Sequence, residues 1–465
     1  MSENPNKADT AGSTDSGFYQ KHTIIHPRKT SGRFTDLRKW AVWALLGLYY
    51  VLPWLTWKGQ HLVLFDLPAR KFYILGQTFW PQDIFYLAIL LILAALVLFF
   101  VTALAGRVWC GYACPQTVWS EVFLWIEQWV EGDRPQQIKL DKAPWNKDKI
   151  TKRTLKHVLW LVFSLLTGFT FVGYFVPMET LWTATITGTL GGWALFWVLF
   201  YGFATYGNAG FLREQVCIYM CPYSRFQSAM FDKDTLIISY DEARGEPRGS
   251  RKRGEEKPGD KGDCIDCTLC VQVCPTGIDI RDGLQYQCIS CALCIDACDS
   301  IMDKMGYERG LVRYTTEHAL HGGVTHVLRF RTFVYAGLLL LITAGLLYSI
   351  SQRVPLEMDI IRDRNALFRD TGDGNIENIY TLKVINMDAK PHEFAVSVAG
   401  IEGIELRGAE TIKVDSGRVA EVPVKVIVNP DHMTERSQEV MFHIEAKDDA
   451  SLAQTQKARL LGPKL

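Results

Sequence analysis

The 465 residues carry no net charge, with 50 Lys and Arg against 50 Asp and Glu, so no global field points to nucleic acid or an acidic partner. The first 37 residues have no apolar run, which argues against a cleaved signal peptide there and predicts a disordered cytoplasmic tail. Cysteine is absent from the last 167 residues; all 12 cysteines lie between 110 and 298. Such clustering excludes a disulfide framework and suits metal sites in a reducing compartment.

Long apolar runs are plentiful. Five segments, at about 40–57, 83–105, 158–177, 190–212 and 332–350, could cross a hydrocarbon layer of about 30 Å as helices. Trp40, Trp54, Trp57, Trp80 and Trp160 stand near their ends, where amphipathic rings favour the interface. Arg28, Lys29, Arg33, Arg38 and Lys39 precede the first run, and the 106–157 connection holds nine basic residues from Arg107 to Lys156. The 58–82 loop has only Lys58, Arg70 and Lys71, and the 178–189 loop has none. The basic side is cytoplasmic, so the expected protein is a multi-pass protein of a bacterial inner membrane. Residues 213–331 then lie inside, and everything after 351 lies in the periplasm.

This divides the chain into a tail (1–37), a membrane domain (38–231), a charged linker (232–263), a cysteine-rich module (264–310), a fifth span (332–350) and a C-terminal domain (355–465). Gly, Pro and charges fill 241–263, which predicts a flexible tether. From 376 onward, IYTLKVINM, EFAVSVAG, VAEVPVKVIV and EVMFHIEAK alternate apolar and polar residues between turns, the period of a small Ig-like β-sandwich. The expected fold is therefore a multi-domain one: an α-helical membrane bundle, an inserted ferredoxin domain and an all-β C-terminal sandwich.

The strongest chemical signal is Cys264-x2-Cys267-x2-Cys270-x3-Cys274-Pro275, followed by Cys288-x2-Cys291-x2-Cys294-x3-Cys298. In bacterial ferredoxins each run gives three thiolates to one [4Fe–4S] cluster and its fourth to the other. The expected ligand sets are Cys264, Cys267, Cys270 and Cys298 for one cluster, and Cys288, Cys291, Cys294 and Cys274 for the second. Four thiolates also suit zinc, but two full copies of the run favour iron–sulfur. Asp299 stands where the first run has Pro275, so the cluster using Cys298 is expected to be more exposed or shifted in potential.

A second repeat is Cys110-Gly-Tyr-Ala-Cys114-Pro115 and Cys217-Ile-Tyr-Met-Cys221-Pro222, each closing a two-span hairpin. A tandem duplication about an axis along the membrane normal would bring four sulfurs to the midline. The i, i+4 spacing predicts both thiols of a pair on one helix face, with Pro opening the next helix. Facing pairs could bind Cu(I) or a further iron–sulfur centre, or relay electrons as dithiols; Gln116 and Glu121 are candidate neighbours. Weaker candidates are His61, Met178 and Glu179 in the outer loops, His318, His321 and His326 before the last span, and Met387, His392, His432, Met433, Met441 and His443 in the β-domain. All of these read first as structural residues.

From the basic tail through the two CxxxCP hairpins, the eight-cysteine run, the fifth span and the Ig-like end, the chain resembles the cytochrome c oxidase accessory protein family known as CcoG, FixG or RdxA. The resemblance implies a membrane iron–sulfur oxidoreductase that reduces Cu(II) to Cu(I) during assembly of a cbb3-type oxidase. Cys110, Cys114, Cys217 and Cys221 match the family's membrane cysteines, and the eight from Cys264 to Cys298 its cluster ligands. Implied partners are oxidase assembly factors, copper carriers and a cytoplasmic electron donor. Homo-oligomerisation stays open. Two other readings also stay open: a quinol- or quinone-linked membrane ferredoxin, and a scaffold with structural clusters.

Overall fold

The structure is a computed structural model that describes residues 24–463 except 58, 256–258 and 389. It forms two compact units, each gathered from three stretches of chain. Among the described residues, three helices are long and apolar enough to cross a membrane: Pro81–Ala105, Lys147–Val172 and Phe330–Ser351. They mark the protein as membrane-associated.

The helices expected at 40–57 and 190–212 form, but with different limits. The first is Arg33–Val51, succeeded by a 3-10 turn at Leu52–Trp54 that contains Pro53, where a ring without an N–H ends the α-ladder. The other is α-helical only over Gly192–Thr205 and continues as a π-helix over Tyr206–Leu212. The helix expected at 158–177 starts earlier, at Lys147, because its first turns are lysine-rich and fall below an apolar threshold.

Among the described residues, unit one holds 24–48, 98–169 and 195–332. Where helix Lys147–Val172 meets Gly192–Thr205, a Cβ on Gly168 would stand 2.7 Å from the Gly202 nitrogen, so glycine permits the close approach. Nearby, Phe123, Trp160 and Ala209 form a buried cluster. Charges buried in this bundle are paired: Arg213 with Glu127 at 2.8 Å and Lys156 with Glu131 at 3.1 Å, which offsets their desolvation.

Two expectations for this unit are corrected. Residues 24–37 are not a disordered tail: Arg28 N–H donates to Gln272 O at 2.8 Å, Lys29 N–H to Asp133 Oδ1 at 2.9 Å, and Thr35 N–H to Asp296 Oδ2 at 2.6 Å. The rest of that tail lies outside the described residues. Nor is 241–263, the stretch expected as a flexible tether, without anchors: Asp241 N–H donates to Leu311 O and Asp263 N–H to Arg244 O, both at 2.9 Å. Strand Ile237–Tyr240 pairs antiparallel with Val312–Thr315, Leu236 N–H donates to Leu104 O at 3.0 Å, and Gly249 N–H to Cys264 O at 3.1 Å. Alternation in Ile238 and Tyr240, both buried with Ile280, Ile295, Met302 and Leu311, carried the missed signal. The cysteine-rich module thus extends beyond 264–310 at both ends.

In unit two, the 58–82 stretch, expected as a loop, contains the antiparallel three-stranded sheet Val63–Asp66, Lys71–Ile74 and Gln77–Phe79. The C-terminal domain is the expected sandwich. One sheet runs Glu405–Arg407, Val419–Val428, Ile376–Asn386, Leu356–Arg362, with Arg369–Asp370 beside Ile376–Asn386; the other runs Thr411–Val414, His392–Ala399, Ser437–Ala446, Ala453–Leu461. Leu382, Phe394, Val426, Phe442 and Ile444 are fully buried between them, each stabilising the fold by about 1.5–3 kcal/mol. Tyr380 joins them because its hydroxyl donates to Arg459 O at 2.9 Å.

Candidate iron–sulfur and thiol site

Both ferredoxin loops use the same backbone device. Asp266 and Thr268 have φ of 52° and 53°, and their counterparts Ser290 and Ala292 have 53° and 63°. Alternating left-handed residues turn successive N–H groups to one side, a nest suited to anionic sulfur. Cys264, Cys267, Cys270 and Cys298 line one cavity together with Arg281 and Leu311. Cys274, Cys288, Cys291 and Cys294 line another, shared with Cys270 and otherwise walled mainly by Ile238, Ile278, Ile280 and Ile289. Four sulfurs around each of two dry cavities fit a pair of [4Fe–4S] clusters, with the fourth cysteine of each run crossing to the other set. Burial pushes the thiols of Cys270, Cys291 and Cys298 up to about 12, so they lose their protons only to a metal.

The second cavity has two cationic neighbours. Arg38 is buried, its Nη2 is 2.8 Å from Glu121, and its guanidinium faces the Cys291 thiol. Nε and Nη1 of Arg38 have no hydrogen-bond acceptor among the described residues. Orphaned donors buried beside a ligand cysteine fit an anionic cluster that would accept them. Arg107, also buried, donates from Nη1 to Tyr286 O and, at 3.4 Å, to Cys288 O.

The CxxxCP turns depart from the expected geometry while keeping the expected duplication. Each pair does not share one helix face. Cys110 lies in the short helix Val108–Tyr112, whereas Cys114 is extended (φ −62°, ψ 128°) and caps the helix Pro115–Glu131. Cys217 sits in the π-helix Val216–Met220 and Cys221 is extended (φ −84°, ψ 108°) before Pro222–Ala229. Proline drives the residue before it out of the α region, so the motif is a helix–turn–helix and Pro opens the second helix.

Copies matched at an offset of 107 residues agree in detail. Thr117 Oγ1 donates to Cys110 O and Ser224 Oγ to Cys217 O, both at 2.5 Å. Gly106 and Arg213, also counterparts, both have positive φ, at 57° and 40°. The copies exchange hydrogen bonds as well: Gln116 Nε2 donates to Arg213 O at 3.2 Å, Arg107 Nη2 to Ser224 O at 2.6 Å, and Cys110 Sγ to Gln227 Oε1 at 3.4 Å. The four thiols lie near enough to act on one another electrostatically. Burial, then Cys114, pushes Cys110 up to about 12 against the pull of Arg107, and Cys217 and Cys221 add to the rise.

The thiol turn abuts the second cavity. A Cβ on Gly111, between Cys110 and Cys114, would stand 2.7 Å from Ile289 O and 3.1 Å from Cys291 Cα, so only glycine lets the two loops touch without displacement. Tyr112 Oη donates to Cys291 O at 3.2 Å. Arg38, Arg107 and Gly111 went unnoticed as site residues in the sequence. Arg107 and Arg38 were read only for orientation, and aligning the copies would have marked Gly111, opposite Ile218, as one of two positions inside the motif where they differ, the other being Ala113 opposite Met220.

A family model described as a 4Fe-4S dicluster domain matches residues 212–317, one described as a 4Fe-4S binding domain matches 87–132, and one described as the IG-like fold at the C-terminal of FixG, putative oxidoreductase, matches 346–463. Protein RdxB of Cereibacter sphaeroides is 43% identical over 82% of this chain and 83% of its own. Nitrogen fixation protein FixG of Rhizobium meliloti is 38% identical over 90% and 86%, and Protein RdxA of Cereibacter sphaeroides 42% over 83% and 84%. The chain belongs to the FixG/RdxA family. It is an iron–sulfur protein of electron transfer, as the fit of both cavities and the matched models agree.

In this FixG/RdxA-family chain the weaker candidates scatter. His392 lies between Asp388 and Asp448, each at 2.8 Å; burial opposes its charge, but the two carboxylates outweigh it and raise its pKa. His432 Nδ1 meets Glu402 O at 2.6 Å, His443 Nδ1 meets Thr455 Oγ1 at 3.0 Å, and Met387 Sδ accepts from Arg353 at 3.4 Å. Met433 is buried and Met441 exposed on its strand. Met178 packs on Gly173 beside the exposed Glu179, and His61 lies in the short strand Gln60–His61. Glu121 holds Arg38. His321 closes a helical turn on Glu317, while His318 and His326 both approach Asp234.

Proposed function

We propose that this protein reduces Cu(II) to Cu(I) at the four CxxxCP thiols and hands the product to copper carriers that serve assembly of a cbb3-type oxidase. The observation that carries the reading is the contact of Gly111 with Ile289 and Cys291, which sets the thiols against the second cluster cavity. The clusters those cysteines would hold supply one-electron exchange. What the chain itself contributes is a soft donor set. Thiolates stabilise Cu(I) over Cu(II), so binding the product favours its formation, and Arg107 offsets the negative charge that gathers as the thiols ionise. In this reading five helices cross the membrane, the clusters face the cytoplasm with its electron donor, and the β-sandwich lies in the periplasm.

Cys114→Ser and Cys221→Ser should each leave cluster absorbance intact and lower Cu(II) reduction by more than about 100-fold, as for removal of a group acting in the chemical step. A Cu(I)-specific chelator reads the rate. Retained activity in both variants would take copper chemistry away from this site.

One observation favours a second reading, a quinone-linked ferredoxin. A cavity of about 700 Å³ lined by Trp43, Trp125, Trp129, Lys39 and Gln128 reaches Pro275 and Leu293, neighbours of Cys274 and Cys294. Its size and aromatic walls suit a planar ring. Reoxidising the reduced protein with Cu(II) and with a quinone in parallel separates the two, since the faster oxidant marks the class.

A further inference from the structure

Just ahead of helix Phe330–Ser351 the chain folds back on itself. Thr316 Oγ1 accepts from Ala319 N–H at 3.2 Å and meets Thr325 Oγ1 at 2.7 Å, Gly322 takes φ +79°, and Gly323 N–H donates to His318 O at 2.8 Å. The closed loop presents two imidazoles that no single helix face would join. His318 Nδ1 lies 2.8 Å and His326 Nδ1 3.7 Å from Asp234 Oδ1, and ligand atoms of the three residues all fall within 4.8 Å of one another. His326 N–H holds the same carboxylate oxygen at 3.0 Å.

We propose that Asp234, His318 and His326 form a site for a divalent transition metal, and that the metal it receives is Cu(II) before reduction; the second half of this rests on the function proposed above. Two imidazoles and a carboxylate are borderline-to-hard donors that suit Cu(II), which binds such ligands more tightly than any other divalent ion of the first transition row. The thiol turn prefers the opposite oxidation state, so the two donor sets divide substrate from product. Their placement is local. Thr235 Oγ1 donates to Ala103 O at 3.2 Å and Leu236 N–H to Leu104 O, pinning Asp234 to the end of the helix that runs directly into Gly106 and Cys110. His318 and His326 are 41% and 67% exposed, so an ion enters and leaves without rearrangement. Binding replaces the hydrogen bond between His318 and Asp234 with bonds to the ion and moves no electrons.

The test titrates Cu(II) into the full-length protein with its clusters oxidised, alongside a form in which Cys110, Cys114, Cys217 and Cys221 are all replaced by Ser, so that the competing thiols of that turn are gone. Paramagnetic resonance should show one equivalent of Cu(II) with coupling to two imidazole nitrogens. His318→Gln, His326→Gln and Asp234→Asn should each weaken binding about tenfold or more. Because His326 is exposed, its variant keeps the fold, and circular dichroism checks this. Cu(II) without nitrogen coupling, or unchanged affinity in both histidine variants, would overturn the site. The chelator assay on the protein with all its cysteines, its clusters first reduced with dithionite and the excess removed so that each can give up one electron to Cu(II), separates the failures. Histidine-bound copper that is never reduced defeats the thiol reading alone, and reduction without histidine-bound copper defeats this site alone.

Discussion

The two cluster cavities are built from the same loop and differ in what surrounds them. Around Cys264, Cys267, Cys270 and Cys298, Arg281 is already matched by Asp266 at 2.5 Å and Asp279 at 2.6 Å, and Asp299 adds a further negative charge beside Cys298. Around Cys274, Cys288, Cys291 and Cys294, Arg38 has one carboxylate partner and two orphaned donors, and Arg107 meets carbonyl oxygens. Positive charge and N–H donors raise a cluster's potential. A cluster held in the second cavity is therefore expected at the higher potential, and that cavity is the one the thiol turn touches.

Gly111→Val tests that contact most severely. Its Cβ would drive into Ile289 O, so copper reduction should fall about 100-fold with both clusters formed, while Ile218→Val at the matching position of the other copy should change little. Stopped-flow kinetics read both. Arg107→Gln comes next: it strips donors from the carbonyls of Tyr286, Cys288 and Ser224, the last bond being buried, and should lower stability by about 1–3 kcal/mol, seen as an earlier thermal midpoint. Arg38→Gln should lower the second cluster's potential by tens of millivolts and leave the first in place; equal movement of both in a resonance-monitored redox titration would erase the contrast between the cavities. The smallest effect is expected from Asp299→Asn, which should raise the first cluster's potential slightly and narrow the gap. Asp299 Oδ1 accepts from Gly310 N–H at 2.9 Å, a bond the Asn amide oxygen can keep, so the change is one of charge alone.

Spacing alone made the ferredoxin cysteines, the duplicated turn and the β-sandwich legible, because each rests on a short-range repeat. What escaped depends on contacts between distant segments. Nothing near Arg38 in the chain announces Cys291, and nothing near Asp234 announces His318 or His326. The i, i+4 reading of the thiols failed for a local reason: the rule assumed a helix through Cys114 and Cys221, whereas Pro115 and Pro222 forbid it. The charged stretch 241–263 was read as a tether from composition, yet its anchors include the alternating residues just before it.

Those anchors change how the protein can work. With Ile237–Tyr240 zipped to Val312–Thr315 and Leu236 tied to Leu104, the redox module is a fixed bridge and no pendulum. Its throughput should then ignore solvent viscosity and be set by the width of a gap that the chain holds constant.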